Sequence, residues 1–161
     1  LVQGAHNFVS NANQKLLIGS NSIKNRILDG LYRVKLNQYF KADQVYSFDL
    51  VENPKPRPDI YLKAIEDNNL QKDETIIIED SSVGVRAGVS AGVKVIGITA
   101  GGHWHEQRDD KELLEAGAIA VTNNYNKIEI KSSPRNIPST PLTDSKFLTS
   151  TFCESSFLVI S

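Results

Sequence analysis

Residues 75–98 read Thr-Ile-Ile-Ile-Glu-Asp-Ser-Ser-Val-Gly-Val-Arg-Ala-Gly-Val-Ser-Ala-Gly-Val-Lys-Val-Ile-Gly-Ile, and the order of residue types in this run decides the fold class. Thr75-Ile76-Ile77-Ile78 is β-branched throughout, too short for a helix, and stops at two adjacent acids, Glu79 and Asp80. Such a run suits a strand buried on both faces. Val93 to Ile98 repeats the pattern. Between them lie about a dozen residues carrying Val83, Ala87, Val89 and Ala91, enough for a crossover helix. A βαβ unit makes the two strands parallel, and open parallel sheets take ligands outside the carboxyl ends of their strands. Glu79 and Asp80 stand at that end, where a hard cation would find oxygen ligands. Helix capping accounts for Asp80 and Ser81 almost as well, because both side chains accept hydrogen bonds from free N–H groups. The acid pair alone therefore does not decide between the two roles.

Outward from this unit the same alternation continues. Lys15 to Ser20 is a short apolar run ending in small polar residues, a strand followed by a loop. From Ile23 the positions Ile27, Leu28, Leu31, Val34 and Leu36 fall near helical spacing, with Asn21 or Ser22 as the expected N-cap. Val45 to Phe48 reads as a short strand. Pro54, Pro56 and Pro58 alternate and stiffen the segment between. Pro58 suits the first position of a helix over 59–68, whose Ile60, Ala64 and Ile65 share a face. After Ile98 comes a loop, then a short helix near 111–116 ended by Gly117, and a last strand over 118–122. The expected class is α/β, a Rossmann-like three-layer core with a mostly parallel sheet. Residues 1–131 form the core domain in this reading. Residues 132–161, rich in Ser, Thr and Pro, read as a disordered tail. Its end, Ser-Phe-Leu-Val-Ile-Ser, is apolar and β-prone, able to dock on an open sheet edge or to promote aggregation.

Composition excludes several classes of function. A formal net charge of -1, with no basic cluster, argues against a nucleic-acid partner. Apolar content of 40% without a long apolar run leaves no membrane span. The first residues lack the basic-then-apolar layout of a signal peptide. The one cysteine, Cys153, cannot close a disulfide within the chain. A cytoplasmic location is expected.

Three further features could carry chemistry. Lys55 is held between prolines in Asn-Pro-Lys-Pro-Arg-Pro-Asp, so its ammonium can be aimed at a phosphate or carboxylate; a soluble surface turn is the plainer alternative. Ser20 and Asn21 end one strand and open a helix, where a hydroxyl and free N–H groups make an anion site or a simple cap. His103, His105 and Glu106 could ligate zinc, but no further Cys or His completes the set, and a loop role is preferred. Trp104 between them could cover the neighbouring cleft.

Leu-Ile-Gly-Ser-Asn-Ser (17–22), Lys-Pro-Arg-Pro-Asp-Ile-Tyr (55–61) and Ile-Ile-Glu-Asp-Ser-Ser-Val-Gly-Val-Arg-Ala-Gly (77–88) follow one another in an order that resembles the second, third and fourth motifs of the haloacid dehalogenase superfamily. The resemblance, over roughly residues 15 to 125, is to its β-phosphoglucomutase-like and phosphoglycolate-phosphatase-like branch. It implies a Mg²⁺-dependent phosphatase for a small phosphorylated metabolite, with a phosphosugar mutase as the alternative. Ser20 would bind the phosphate with Asn21 beside it, Lys55 would neutralise phosphate and attacking carboxylate, and Glu79 and Asp80 would hold Mg²⁺, directly or through water. This agrees with the chemistry, since phosphoryl transfer relies on positioning and charge neutralisation.

The chain departs from the family pattern in two respects. The family's nucleophile is an aspartate in an Asp-x-Asp-Gly motif on a strand near the N-terminus, and no such segment stands here; the stretch for a cap domain is absent too. The expectation is a C-terminal portion of the enzyme, N-terminally truncated and inactive alone. Its sheet would be gapped or closed up where the central strand belongs. A separate polypeptide supplying that strand, or a non-catalytic remnant that binds Mg²⁺ or phosphate, are the competing expectations.

Overall fold

The computed structural model describes residues 4–101, 104, 109–128 and 156–159. Helix α1 spans Ala5–Asn11, followed by β1 Lys15–Ser20, α2 Lys24–Arg33, β2 Val45–Ser47, α3 Asp59–Asp67, β3 Thr75–Glu79, α4 Ser82–Ser90, β4 Lys94–Ile98, α5 Lys111–Glu115, β5 Ala120–Thr122 and β6 Ser156–Val159. The strands form one sheet in the order β2-β1-β6-β3-β4-β5, with every neighbouring pair parallel. All carboxyl ends therefore lie on one edge, and Ser20, Ser47, Glu79, Ile98 and Thr122 end their strands there.

Burial explains why β1 and β3 read as continuous apolar runs. All five residues of β3 are buried, as are Leu16 to Ser20 of β1. Successive side chains point to opposite faces, so each strand contributes to two cores. On one face Leu17, Ile77 and Val95 meet Ile60, Tyr61 and Ala64 of α3, Val85 and Ala87 of α4, and Leu113 of α5. On the other, Leu16, Ile18, Ile76, Ile78 and Ile96 meet Val9 of α1, Leu31 of α2, Phe40 and Tyr125. Burying each Leu or Ile stabilises by about 1.5–3 kcal/mol, so these two layers dominate the fold's stability. Helix α4 lies close against the sheet: a Cβ on Gly88 would meet Val95 at 2.6 Å and Ile77 at 2.9 Å.

The element order expected from the sequence is present, with differences at four places. Ile23, not Asn21 or Ser22, occupies the cap of α2, and no side chain closes it, because both earlier side chains lie in the loop that follows β1. Pro58 sits one position before α3, with φ of −78° that already suits helix. Helix α1 was not foreseen. Its Val9 is buried and its Phe8 ring stands 5.5 Å from that of Tyr125, a contact from the far end of the core that local periodicity does not carry. Residues 156–159 pair between β1 and β3 rather than on an open edge, in the place where a gapped or closed-up sheet was expected. The rest of 132–161 lies outside the described residues. No helix among the described residues is long and apolar enough to cross a membrane.

Candidate active site

The predicted residues meet at the carboxyl edge of β1 and β3. Lys55 arrives on the Pro-rich loop before α3 and is buried to 8% exposure, unlike the solvated lysine of the plainer reading. Its Nζ donates to the Gly19 carbonyl at 3.0 Å and to Glu79 Oε1 at 2.5 Å. The ammonium also lies 5.0 Å from the centre of the Tyr61 ring, a cation–π distance. An ammonium carries three N–H donors, so these two bonds leave one for a ligand. Burial pulls the Lys55 pKa below its ordinary value, opposed by the charge and hydrogen bond of Glu79 and by the charge of Asp80.

Asn21 fixes the loop rather than standing free beside a ligand. Its Oδ1 accepts from the Lys55 backbone N–H at 3.0 Å, and its Nδ2 donates to the Lys55 carbonyl at 3.2 Å. This reciprocal pair ties the strand-end loop of β1 to the lysine loop. Ser20, at 6% exposure, accepts from the Ser22 backbone N–H at 3.2 Å, which orients its hydroxyl at the strand end.

Glu79 is a fully engaged carboxylate. Oε1 accepts from Lys55 and from Tyr61 Oη at 2.8 Å. Oε2 accepts from the backbone N–H groups of Asp80 and Ser81 at 3.1 and 3.2 Å and from Ser81 Oγ at 3.0 Å. Ser81 Oγ in turn accepts from the Gly84 N–H at 3.1 Å, capping α4. A side chain at Gly84 would collide with the Glu79 carboxylate, which explains a glycine inside the first turn of this helix. Five donors thus converge on the two oxygens of Glu79. Asp80 follows it, partly buried just past the strand end. Its backbone carbonyl accepts from Trp104 Nε1 at 2.9 Å, so Trp104 does border this site. The donors gathered here are carboxylate and hydroxyl oxygens, which suit Mg²⁺ better than a soft metal. Among the described residues no cluster of three or more His, Cys, Asp or Glu forms a metal site. His103, His105 and Glu106 lie outside them.

Tyr61 is the functional residue that the sequence reading left unassigned. It is fully buried in α3 beside Ile60 and Ala64. A buried phenol needs a partner for its hydroxyl, and an aromatic six positions after the lysine, on the core face of a helix, was the available signal. Burial first, then the Glu79 charge, raise its pKa well above the ordinary value, so it stays a donor.

A buried lysine–glutamate pair and an aspartate thus meet at the carboxyl edge of a parallel α/β sheet. The chain belongs to the haloacid dehalogenase-like hydrolases, whose family model matches residues 3–98. A phosphorylated carbohydrates phosphatase from Thermotoga maritima is 36% identical over 121 residues, covering 74% of this chain and 53% of that protein. The chain thus spans about half the length of that relative. A haloacid dehalogenase-like protein of unknown function from Agrobacterium tumefaciens superposes with a TM-score of 0.72 at 32% identity, covering 78% of this chain and 57% of the other. A HAD-family hydrolase from Deinococcus radiodurans, solved with bound phosphate and sodium, gives 0.62 at 27% identity, covering 69% and 48%.

Proposed function

We propose that this chain supplies the phosphate- and cation-binding part of a Mg²⁺-dependent phosphatase that acts on a small phosphorylated metabolite such as a sugar phosphate. The observation that carries the reading is the Lys55 ammonium, buried at the sheet edge with Glu79 as its counter-charge and one N–H donor left for a ligand. Ser20 and the N–H groups beyond β1 receive phosphate oxygens, while Asn21 keeps the Lys55 backbone in place. Lys55 neutralises charge on the phosphate. Asp80 holds Mg²⁺, with Glu79 behind it contributing directly or through water. Bound Mg²⁺ supplies further neutralisation of the charge that develops during phosphoryl transfer. The attacking carboxylate belongs, in this reading, to a complementing segment, and the 161-residue chain by itself is inactive. A cytoplasmic location fits a chain with a single cysteine.

The test is titration of the purified chain with inorganic phosphate, with and without Mg²⁺, followed by calorimetry. Saturable binding is expected, strengthened by Mg²⁺, lost in Lys55→Ala, and insensitive to Mg²⁺ in Asp80→Asn. Absence of phosphate binding under all these conditions would remove the reading. Mg²⁺-dependent phosphate release by the chain alone, abolished by Asp80→Asn, would show that no complementing segment is needed.

A further inference from the structure

Asp80 stands between β3 and α4, and its main chain is held from two different parts of the sequence. Its own N–H donates to Glu79 Oε2 at 3.1 Å. The peptide joining it to Ser81 is held at both ends. The Ser81 N–H donates to Glu79 Oε2 at 3.2 Å, and the Asp80 carbonyl accepts from Trp104 Nε1 at 2.9 Å. The bonds to Glu79 are local to the strand end, whereas the indole arrives from 24 residues further along the chain. Trp104 is itself anchored. Its main-chain N–H donates to the Gly101 carbonyl at 2.9 Å, past the end of β4, and its side chain packs half-buried against the core that holds Tyr61 and Val85. Peptide groups are planar, so holding the plane on each side of the Asp80 Cα fixes its φ and ψ. The direction of its Cα–Cβ bond is then fixed as well.

We propose that Trp104 is a positioning residue for Asp80: its indole N–H pins the Asp80–Ser81 peptide and so aims the Asp80 carboxylate in advance at the cation. This rests on the reading of Asp80 as the Mg²⁺ ligand and adds the residue that holds that ligand's main chain. Mg²⁺ demands near-ideal octahedral geometry at short distances, so its affinity suffers when a carboxylate ligand is free to turn away. Partners that orient a ligand without touching the metal are worth about 10–100-fold in affinity. Phosphate depends on a different set of bonds. Lys55 is held by Gly19, Glu79 and Asn21, and Ser20 by Ser22, so losing the indole donor leaves that half of the site in place. The bond also joins the ends of two neighbouring strands, β3 and β4, across the carboxyl edge of the sheet.

The chain has one tryptophan, so expression in a tryptophan-requiring host fed benzothienylalanine alters Trp104 alone. That analogue keeps the shape of the ring and exchanges its N–H for sulfur. Full chains with tryptophan, with the analogue and with Trp104→Phe are compared by calorimetry. Mg²⁺ is titrated at saturating inorganic phosphate, and phosphate is titrated without Mg²⁺. Both donor-less chains should bind Mg²⁺ at least ~10-fold more weakly than the parent, with phosphate affinity unchanged. A spectroscopic readout on the parent accompanies these: its indole N–H resonance should shift on adding Mg²⁺, and should stay put in Asp80→Asn. Should both donor-less chains fail to fold, that resonance decides, and an unmoved signal in a parent chain that binds Mg²⁺ overturns the proposal. Equal Mg²⁺ affinity in all three chains, or equal loss of Mg²⁺ and phosphate affinity, would also overturn it, the latter because it marks a general structural role. Those results leave the cation reading of Asp80 standing. A parent chain that binds no Mg²⁺ at all would instead sink that reading, and this inference with it.

Discussion

Lys55 and Glu79 are each nearly sequestered from water, so each relies on the other. Removing one partner of a buried ion pair leaves a charge without compensation and costs about 3–5 kcal/mol, while replacing both can be close to neutral. Glu79→Gln and Lys55→Met should each destabilise by that order in urea unfolding. The double variant should lose far less than the sum, and an additive cycle would show that the two groups are not coupled. Tyr61→Phe removes one donor from the same carboxylate and should cost about 1.5–3 kcal/mol, as expected for a hydrogen bond to a charged group. Gly84→Ala tests the close approach from the other side. Its methyl would collide with the Glu79 carboxylate, so a loss of about 1–3 kcal/mol is expected. The same change at exposed Gly30, with nothing near its Cβ, should not destabilise.

At the scale of elements, legibility in sequence tracked how locally each element is specified. Strands β1 and β3 could be bounded by eye because burial on both faces enforces an unbroken apolar run that ends at polar chemistry. Lys55, Ser20, Asn21, Glu79 and Asp80 could be singled out because they stand at those ends or on the stiff loop before α3. Geometry adds bonds that the pattern did not carry: the Asn21 amide holds the Lys55 backbone, and Glu79 accepts from Lys55, Tyr61 and the start of α4. No spacing rule distinguishes a carboxylate that binds a ligand from one that positions its neighbour. Helix α1, and the place of the β-prone strand β6 within the sheet, were illegible for a different reason. Their stabilising contacts are with residues more than a hundred positions away or nearly so, as Phe8 with Tyr125 and Phe157 with Leu16 and Ile76 illustrate. Ser81 joins both regimes, being a readable cap whose second bond was not readable. Ser81→Ala should therefore cost more than capping alone, beyond about 1 kcal/mol in urea unfolding. A loss no larger than that would mean its bond to Glu79 is replaceable.

For the whole molecule, the two cores carry a joint consequence at alkaline pH. Tyr61 lies in the core beneath α3 and α4, and Tyr125 lies in the one beneath α1 and α2. Both have raised pKa values, through burial first and then through nearby carboxylate charge: Glu79 before Asp80 for Tyr61, Asp80 before Glu79 for Tyr125. In the unfolded chain each phenol ionises near its ordinary value of 10.0, while in the folded protein each keeps its proton. Above that pH the folded state binds more protons than the unfolded one, so folding stability falls as pH rises. Their contribution is fully present below pH 10.0 and is lost above it. Lys55 acts with the opposite sign, because its pKa is lowered: between that value and the ordinary 10.5 the unfolded chain holds the extra proton, and stability rises with pH. Two phenols outweigh one ammonium, and the ammonium's effect ends at 10.5. Urea midpoints should therefore drop steeply from about pH 10 upward. Tyr125→Phe should make that drop shallower, since phenylalanine has no proton to lose, whatever the variant does to stability at neutral pH. An unchanged alkaline slope in Tyr125→Phe would show that the ring's hydroxyl reaches water in the folded protein, and that the second core is looser than its burial implies.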